Sequence, residues 1–180
     1  PPLLWARGNV EFLQKECVAV VGSRQLMPEE ASFAKTVGRW CAQRGLGLVS
    51  GGAQGADRFA AEECIAFGGS VAHFLPGGES EKGEATILCR NPEAAEFNRL
   101  EALRRNRWIY ASASMAVVIA SRNGKGGSWS GAIVSRREKL SPVAVFIGKY
   151  PNDGNAALAR LGFAIVSNEA DLDAFRAFVH

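Results

Sequence analysis

Short, continuous apolar runs alternate along this chain with longer stretches whose apolar residues recur at helical spacing. Val18–Val21 is the first such run and predicts a strand buried on both faces. Behind Pro28, Ala34, Val37 and Cys41 recur through Glu29–Gln43, which predicts a helix with proline at its start. Gly45 ends it, and Leu46–Ser50 predicts a second strand. Ala56, Ala60 and Cys64 mark a second helix, closed by Gly68-Gly69, and Ser70–Leu75 a third strand, stopped by Pro76-Gly77-Gly78. Glu79–Arg90 has no clean period and is expected to be a loop. Pro92–Ala111 predicts a long helix, Met115–Ala120 a fourth strand, Gly131–Lys139 a helix and Pro142–Ile147 a fifth strand. Asn155–Leu161, Phe163–Val166 and Glu169–Phe178 add helix, short strand and helix, with Gly162 as a C′ residue and Asn168 as an N-cap. Such alternation predicts an α/β fold, a mostly parallel sheet with helices on both faces. Residues 1–180 are expected to form one domain, with residues 1–16 as a lead-in segment.

Composition changes this picture little. The chain has 180 residues, long enough to bury a sizeable core, and its formal charge of +3 is too small to establish a nucleic-acid partner. Local clustering says more: Arg99 to Arg107 holds four arginines and one glutamate. The four cysteines, Cys17, Cys41, Cys64 and Cys89, lie far apart, so zinc ligation is not expected. Three lie in apolar segments and read as buried free thiols of a cytoplasmic protein. No apolar run approaches membrane-spanning length, and no signal peptide is visible.

Parallel sheets bind ligands at the carboxyl ends of their strands. Gly22, Ser23 and Arg24 follow the first strand: a residue that allows close approach, a hydroxyl, and a guanidinium fork suited to phosphate. Ser50-Gly51-Gly52-Ala53-Gln54-Gly55-Ala56-Asp57 follows the second and offers backbone N–H groups at a helix N-terminus. Gly52 and Gly55 are expected to let backbone approach phosphate without a Cβ in the way. Asp57 lies in the first helical turn, where capping or dipole complementation competes with a ligand role. After the fourth strand, Lys125, Gly126, Gly127 and Ser128 again place glycines and a hydroxyl before a helix, with Arg122 nearby. Arg104-Arg105-Asn106-Arg107 runs into Trp108-Ile109-Tyr110, a basic stretch beside aromatic residues that suits single strands, although Trp108 and Tyr110 fit a core better. Asn106 is expected to tie loop backbone. His73, inside an apolar strand, is expected to be a satisfied core histidine. No Ser/His/Asp or Cys/His arrangement and no paired carboxylates stand beside the glycine loops, so no enzyme activity and no cofactor is expected.

These motifs, in this order, resemble the DNA-processing protein A family (DprA, or Smf). The resemblance begins at Pro2-Leu3-Leu4-Trp5-Ala6-Arg7-Gly8-Asn9 and continues through Val20-Val21-Gly22-Ser23-Arg24 and Ser50 to Asp57. It takes in Gly68-Gly69 and Arg105-Asn106-Arg107-Trp108-Ile109, and ends with Gly127-Ser128 and Ala132, over roughly residues 1 to 147. It implies an extended Rossmann-like fold that binds single-stranded DNA without sequence preference, forms a homodimer and contacts a RecA-type recombinase in recombination or natural transformation. By motif position, Arg24, the Ser50–Gly55 loop and Arg105 would face phosphates, and Arg107 would be a partly buried residue holding the loop beside the fourth strand. Ala102-Leu103 stand where the family has Phe-Pro, and Ala61 where it has a histidine. No winged-helix domain is expected.

Two other functions fit the same cleft. One is a sensor of a nucleotide or an ADP-ribose-like ligand. The other is a phosphoribohydrolase resembling the lysine-decarboxylase-like family. That family's Pro-Gly-Gly-x-Gly-Thr-x-x-Glu loop has no counterpart here, because Gly126-Gly127-Ser128-Trp129 lacks the glutamate in the following turn.

Overall fold

The computed structural model describes residues 4–75, 85–88 and 99–180. Among these residues, eight strands build one sheet in the order β1-β5-β4-β3-β2-β6-β7-β8. They are β1 (Trp5–Arg7), β2 (Cys17–Val21), β3 (Gly47–Ser50), β4 (Ser70–Leu75), β5 (Ala85–Leu88), β6 (Met115–Val118), β7 (Val143–Phe146) and β8 (Ala164–Val166). Every neighbouring pair is parallel except β1 with β5, where Trp5 lies opposite Leu88. The helices are α1 (Pro28–Gln43), α2 (Ala56–Ala66), α3 (Arg99–Ala111), α4 (Gly126–Glu138), α5 (Asp153–Arg160) and α6 (Glu169–Val179). None of them is long and apolar enough to cross a membrane.

Alternation along β2 divides the core. Val18 and Val20 pack with Phe33, Val37 and Trp40 of α1 and with Leu172 and Phe175 of α6. Ala19 and Val21 pack on the other face with Ile109 and Tyr110 of α3, Ala132 of α4 and Leu158 of α5. Phe33 stacks on Phe146 with ring centroids 4.2 Å apart. The buried Trp40 indole donates to Asp173 at 3.0 Å, which fixes α6 against α1. An apolar body with a satisfied polar tip is how tryptophan is buried without penalty.

Three differences from the sequence expectations have physical causes. The lead-in segment supplies β1, and Ala85–Leu88, expected within a loop, forms β5. Neither shows a period, because each is only three or four residues long. Helix α4 starts at Gly126, not Gly131, although Gly-Gly-Ser is a poor helix former. Close packing on α3 overrides that propensity: a Cβ on Gly131 would lie 2.7 Å from the Tyr110 ring, and one on Gly127 would lie 2.9 Å from the Asn106 amide nitrogen. Pro76-Gly77-Gly78, Cys89 and the first turns of the helix expected from Pro92 lie outside the described residues.

Candidate nucleic-acid interface

The chain leaves β2 toward β3, β4 and β5, then returns to lay β6 against the other side of β2. That reversal is a topological switch point, where connections diverge and leave a crevice beyond the strand ends. A cleft of about 840 Å³ lies there. Gly22, Ser23 and Arg24 line it from β2, Gly51 and Ala53 from β3, and Ser121, Arg122 and Lys125 to Ser128 from β6. The three loops expected to converge do so. Arg105 and Asn106 line it from α3.

The loop after β3 is organised by its own side chains. Asp57 is buried at the start of α2 and accepts from the Gly51 N–H at 2.9 Å and the Ala53 N–H at 3.3 Å. The Gly52 N–H donates to the Ser50 hydroxyl at 3.2 Å, and that hydroxyl also bonds His73 Nδ1 at 2.8 Å. Three successive N–H groups are thus consumed internally, and Asp57 is a cap in the anion position. Burial pushes the Asp57 carboxyl up from its ordinary range, against the pull of the Arg105 guanidinium and the two N–H donors. His73 is the satisfied core histidine expected. Ser50, Gly52, Gln54 and Gly55 do not line the cleft.

Arg105 is only 9% exposed. Its Nη1 donates to the Gly51 carbonyl at 2.7 Å and to the Phe74 carbonyl. The guanidinium therefore braces the β3 loop from beneath. Arg107, expected to be partly buried, has a side chain 58% exposed and pairs with Glu138. Two residues apart on a helix project about 200° apart, so burying Arg105 against the loop turns Arg107 outward. The expected roles are in this respect reversed. Asn106 donates to the Gly127 carbonyl at 3.4 Å, tying the α4 loop as expected.

The glycines serve packing. A Cβ on Gly22 would lie 2.4 Å from that of Ala56, where α2 crosses β2. Gly55 has φ +85°, and a Cβ there would lie 2.4 Å from the Ser23 carbonyl oxygen. The Ala56 N–H donates to that same carbonyl at 3.2 Å. The loops after β2 and β3 are thus stitched together, and close approach to phosphate is not what excludes a side chain from Gly55.

Arg24, Arg122 and Lys125 are exposed at the cleft, and their side chains make no hydrogen bond or ion pair among the described residues; the Lys125 backbone N–H donates to the Arg122 carbonyl at 3.0 Å. Ser23 donates its hydroxyl to the Ala120 carbonyl at 3.3 Å. Helix α4 begins with no acidic residue in its first turn and no side-chain cap, so its positive dipole end faces the cleft uncompensated. The same cleft has a wall the sequence reading missed. Glu30 of α1, with Asn152 and Asp153 at the start of α5, lines the cleft beside Leu26 and Met27. Asn155 fixes that wall by donating to the carbonyls of Val118, Ile119 and Phe146 and accepting from Ser121 at 2.8 Å. The one legible signal was an asparagine three residues before Asn155, an N-cap pattern.

The model of the family described as DNA recombination-mediator protein A matches residues 1–173. The chain belongs to this family. Among curated protein sequences, none matches it. Solved structures with the same fold include DNA processing protein A from Streptococcus pneumoniae, at 23% identity and a TM-score of 0.83 over 95% of this chain and 65% of that one. This chain therefore spans less than two thirds of that protein's length. DNA processing protein A from Helicobacter pylori, whose structure concerns its single-stranded DNA binding mode, aligns at 21% identity and a TM-score of 0.83 over 98% and 88%. A molybdenum cofactor binding protein from Rippkaea orientalis shares the fold at 17% identity and a TM-score of 0.70 over 92% and 98%. The extended Rossmann-like fold expected of the family is the fold observed.

Proposed function

We propose that this member of the recombination-mediator family binds single-stranded DNA through its phosphate backbone, without a covalent step, and presents the strand to a RecA-type recombinase. The observation that carries the reading is the pairing of Arg24, Arg122 and Lys125, all exposed and unpaired among the described residues, with the uncompensated N-terminus of α4 on one cleft. Guanidinium, ammonium and helix N–H groups share one kind of ligand, a phosphate oxygen. No base edge need be read for such contacts to hold a strand. The described thiols are unsuited to nucleophilic chemistry: burial pushes Cys17 up to about 11 and Cys64 up to about 12, and Cys41 is raised well above its ordinary value.

A nucleotide sensor is the second reading, and the volume of about 840 Å³ supports it, because compact ligand pockets span roughly 300–1,000 Å³. Fluorescence anisotropy with a labelled oligo(dT), run beside thermal shifts with mononucleotides, separates the two. Strand binding predicts saturable anisotropy at moderate salt and no mononucleotide shift. Strong stabilisation by one mononucleotide, with no oligonucleotide bound, favours the sensor.

A further inference from the structure

The cleft proposed above to hold strand phosphates is also lined by acidic residues, Asp57, Asp153 and Glu30. Glu30 is 5% exposed, lines the cleft and has no cationic partner among the described residues. Its Oε2 accepts from the Met27 N–H at 2.8 Å, and its Oε1 accepts from the Asn152 side-chain amide at 2.8 Å. Asn152 is itself held in place, its Oδ1 accepting from the Asn155 N–H at 2.7 Å. A carboxylate offers about four acceptor sites, two on each oxygen. Each oxygen of Glu30 has used one, so each retains one. A phosphate brought to this end would meet like charge, whereas a pair of adjacent N–H donors would match both oxygens at once. Next to the carboxylate stand Leu26 and Met27, the latter 60% exposed, an apolar ledge of the kind a flat ring covers.

Resting on the strand-binding reading above, we propose that the Glu30–Asn152 end of the cleft is a nucleobase subsite that prefers guanine. The base lies against Met27 and Leu26, and its N1–H and N2–H groups donate to the two Glu30 oxygens. The flanking phosphates fall to Arg24, Arg122 and Lys125. Among the natural bases, guanine alone presents two such donors side by side. Hypoxanthine keeps N1–H and lacks the amino group, and thymine offers a single N3–H.

The test uses oligo(dT) carrying one central guanine, one central hypoxanthine or no replacement, measured by anisotropy on the wild-type protein and on Glu30→Gln. The expected result is about tenfold tighter binding of the guanine strand than of the hypoxanthine strand, the scale of one hydrogen bond to a charged acceptor. In Glu30→Gln the ratio should fall to about one. Equal affinities for all three strands in the wild type overturn the subsite and leave strand binding standing. A guanine preference that survives Glu30→Gln places the discrimination elsewhere and also overturns it. If Glu30→Gln fails to fold, Met27→Ala, which removes an exposed side chain, should shrink the preference, and an unchanged ratio there overturns the proposal. Failure of every strand to bind removes both the subsite and the function it rests on.

Discussion

Arg24 and Arg105 both line the cleft and differ in what holds them. Arg24 is exposed and makes no bond among the described residues, while Arg105 is buried with its guanidinium on two carbonyls beside the Asp57 carboxylate. Arg24→Ala should weaken oligonucleotide binding by about 1–3 kcal/mol, the range for charge-assisted hydrogen bonds, with the melting temperature unchanged. Arg105→Ala should instead cost about 3–5 kcal/mol of stability, because a buried carboxylate is left without its counter-charge. Arg107→Ala removes an exposed guanidinium from a partly buried Glu138 that keeps Arg137 as a partner, and should cost about 1 kcal/mol. Urea melts and binding isotherms on the three variants check all of this. Equal melting of Arg105→Ala and wild type would contradict the bracing role.

At the scale of elements, the loops after β2 and β3 are one unit. Gly55→Val would push a branched side chain into the Ser23 and Arg24 carbonyls at a positive φ, so it should unfold or strongly destabilise the protein rather than selectively remove binding. Circular dichroism melts decide, and a well-folded variant would show that the two loops can part. The C-terminal helix is fastened differently. Arg176 donates to both oxygens of Glu16 just before β2, at 2.8 and 2.6 Å, and this holds the Glu16 carboxyl below its ordinary value of 4.5. A carboxylate lowered in the folded state contributes stability above its unfolded value and loses it as the pH falls through the folded value. Glu16→Gln should therefore cost about 1 kcal/mol or less at neutral pH, since both side chains are partly exposed, and the difference from wild type should vanish in acid below that lowered value. Thermal melts across the acid range check the sign. The sequence made the strands of the sheet's middle and the convergence of three loops legible, because four-residue runs such as Val18–Val21 are buried on both faces and leave no other reading. It could not show which N–H groups were already used. Glycine spacing marks where backbone must come close, but whether it comes close to a ligand or to the protein's own Ser23 carbonyl is settled only by packing. Glu30 was invisible for a related reason: in sequence it is an acidic residue in a first helical turn, an ordinary dipole partner.

For the whole molecule, the sheet ends on one side at β8, whose outer edge pairs with no other strand among the described residues. Ile165 on this strand and Phe178 on α6 are 54% and 85% exposed, and we propose that the homodimer expected from the sequence resemblance forms at this side of the molecule. Light scattering after size exclusion should give a dimer at micromolar concentration, and Phe178→Glu should shift it to monomer. A monomer at all concentrations would remove self-association through this edge. The central claim, that the switch-point cleft holds strand phosphates, is tested most directly by the salt dependence of oligonucleotide affinity. Each neutralised phosphate of a single strand contributes about −0.7 to the slope of log affinity against log salt. Contacts from Arg24, Arg122 and Lys125 predict a slope of about −2, reduced by about 0.7 in Arg24→Ala. A slope near zero, or one that Arg24→Ala leaves unchanged, would contradict the assignment of this cleft to the backbone of a strand.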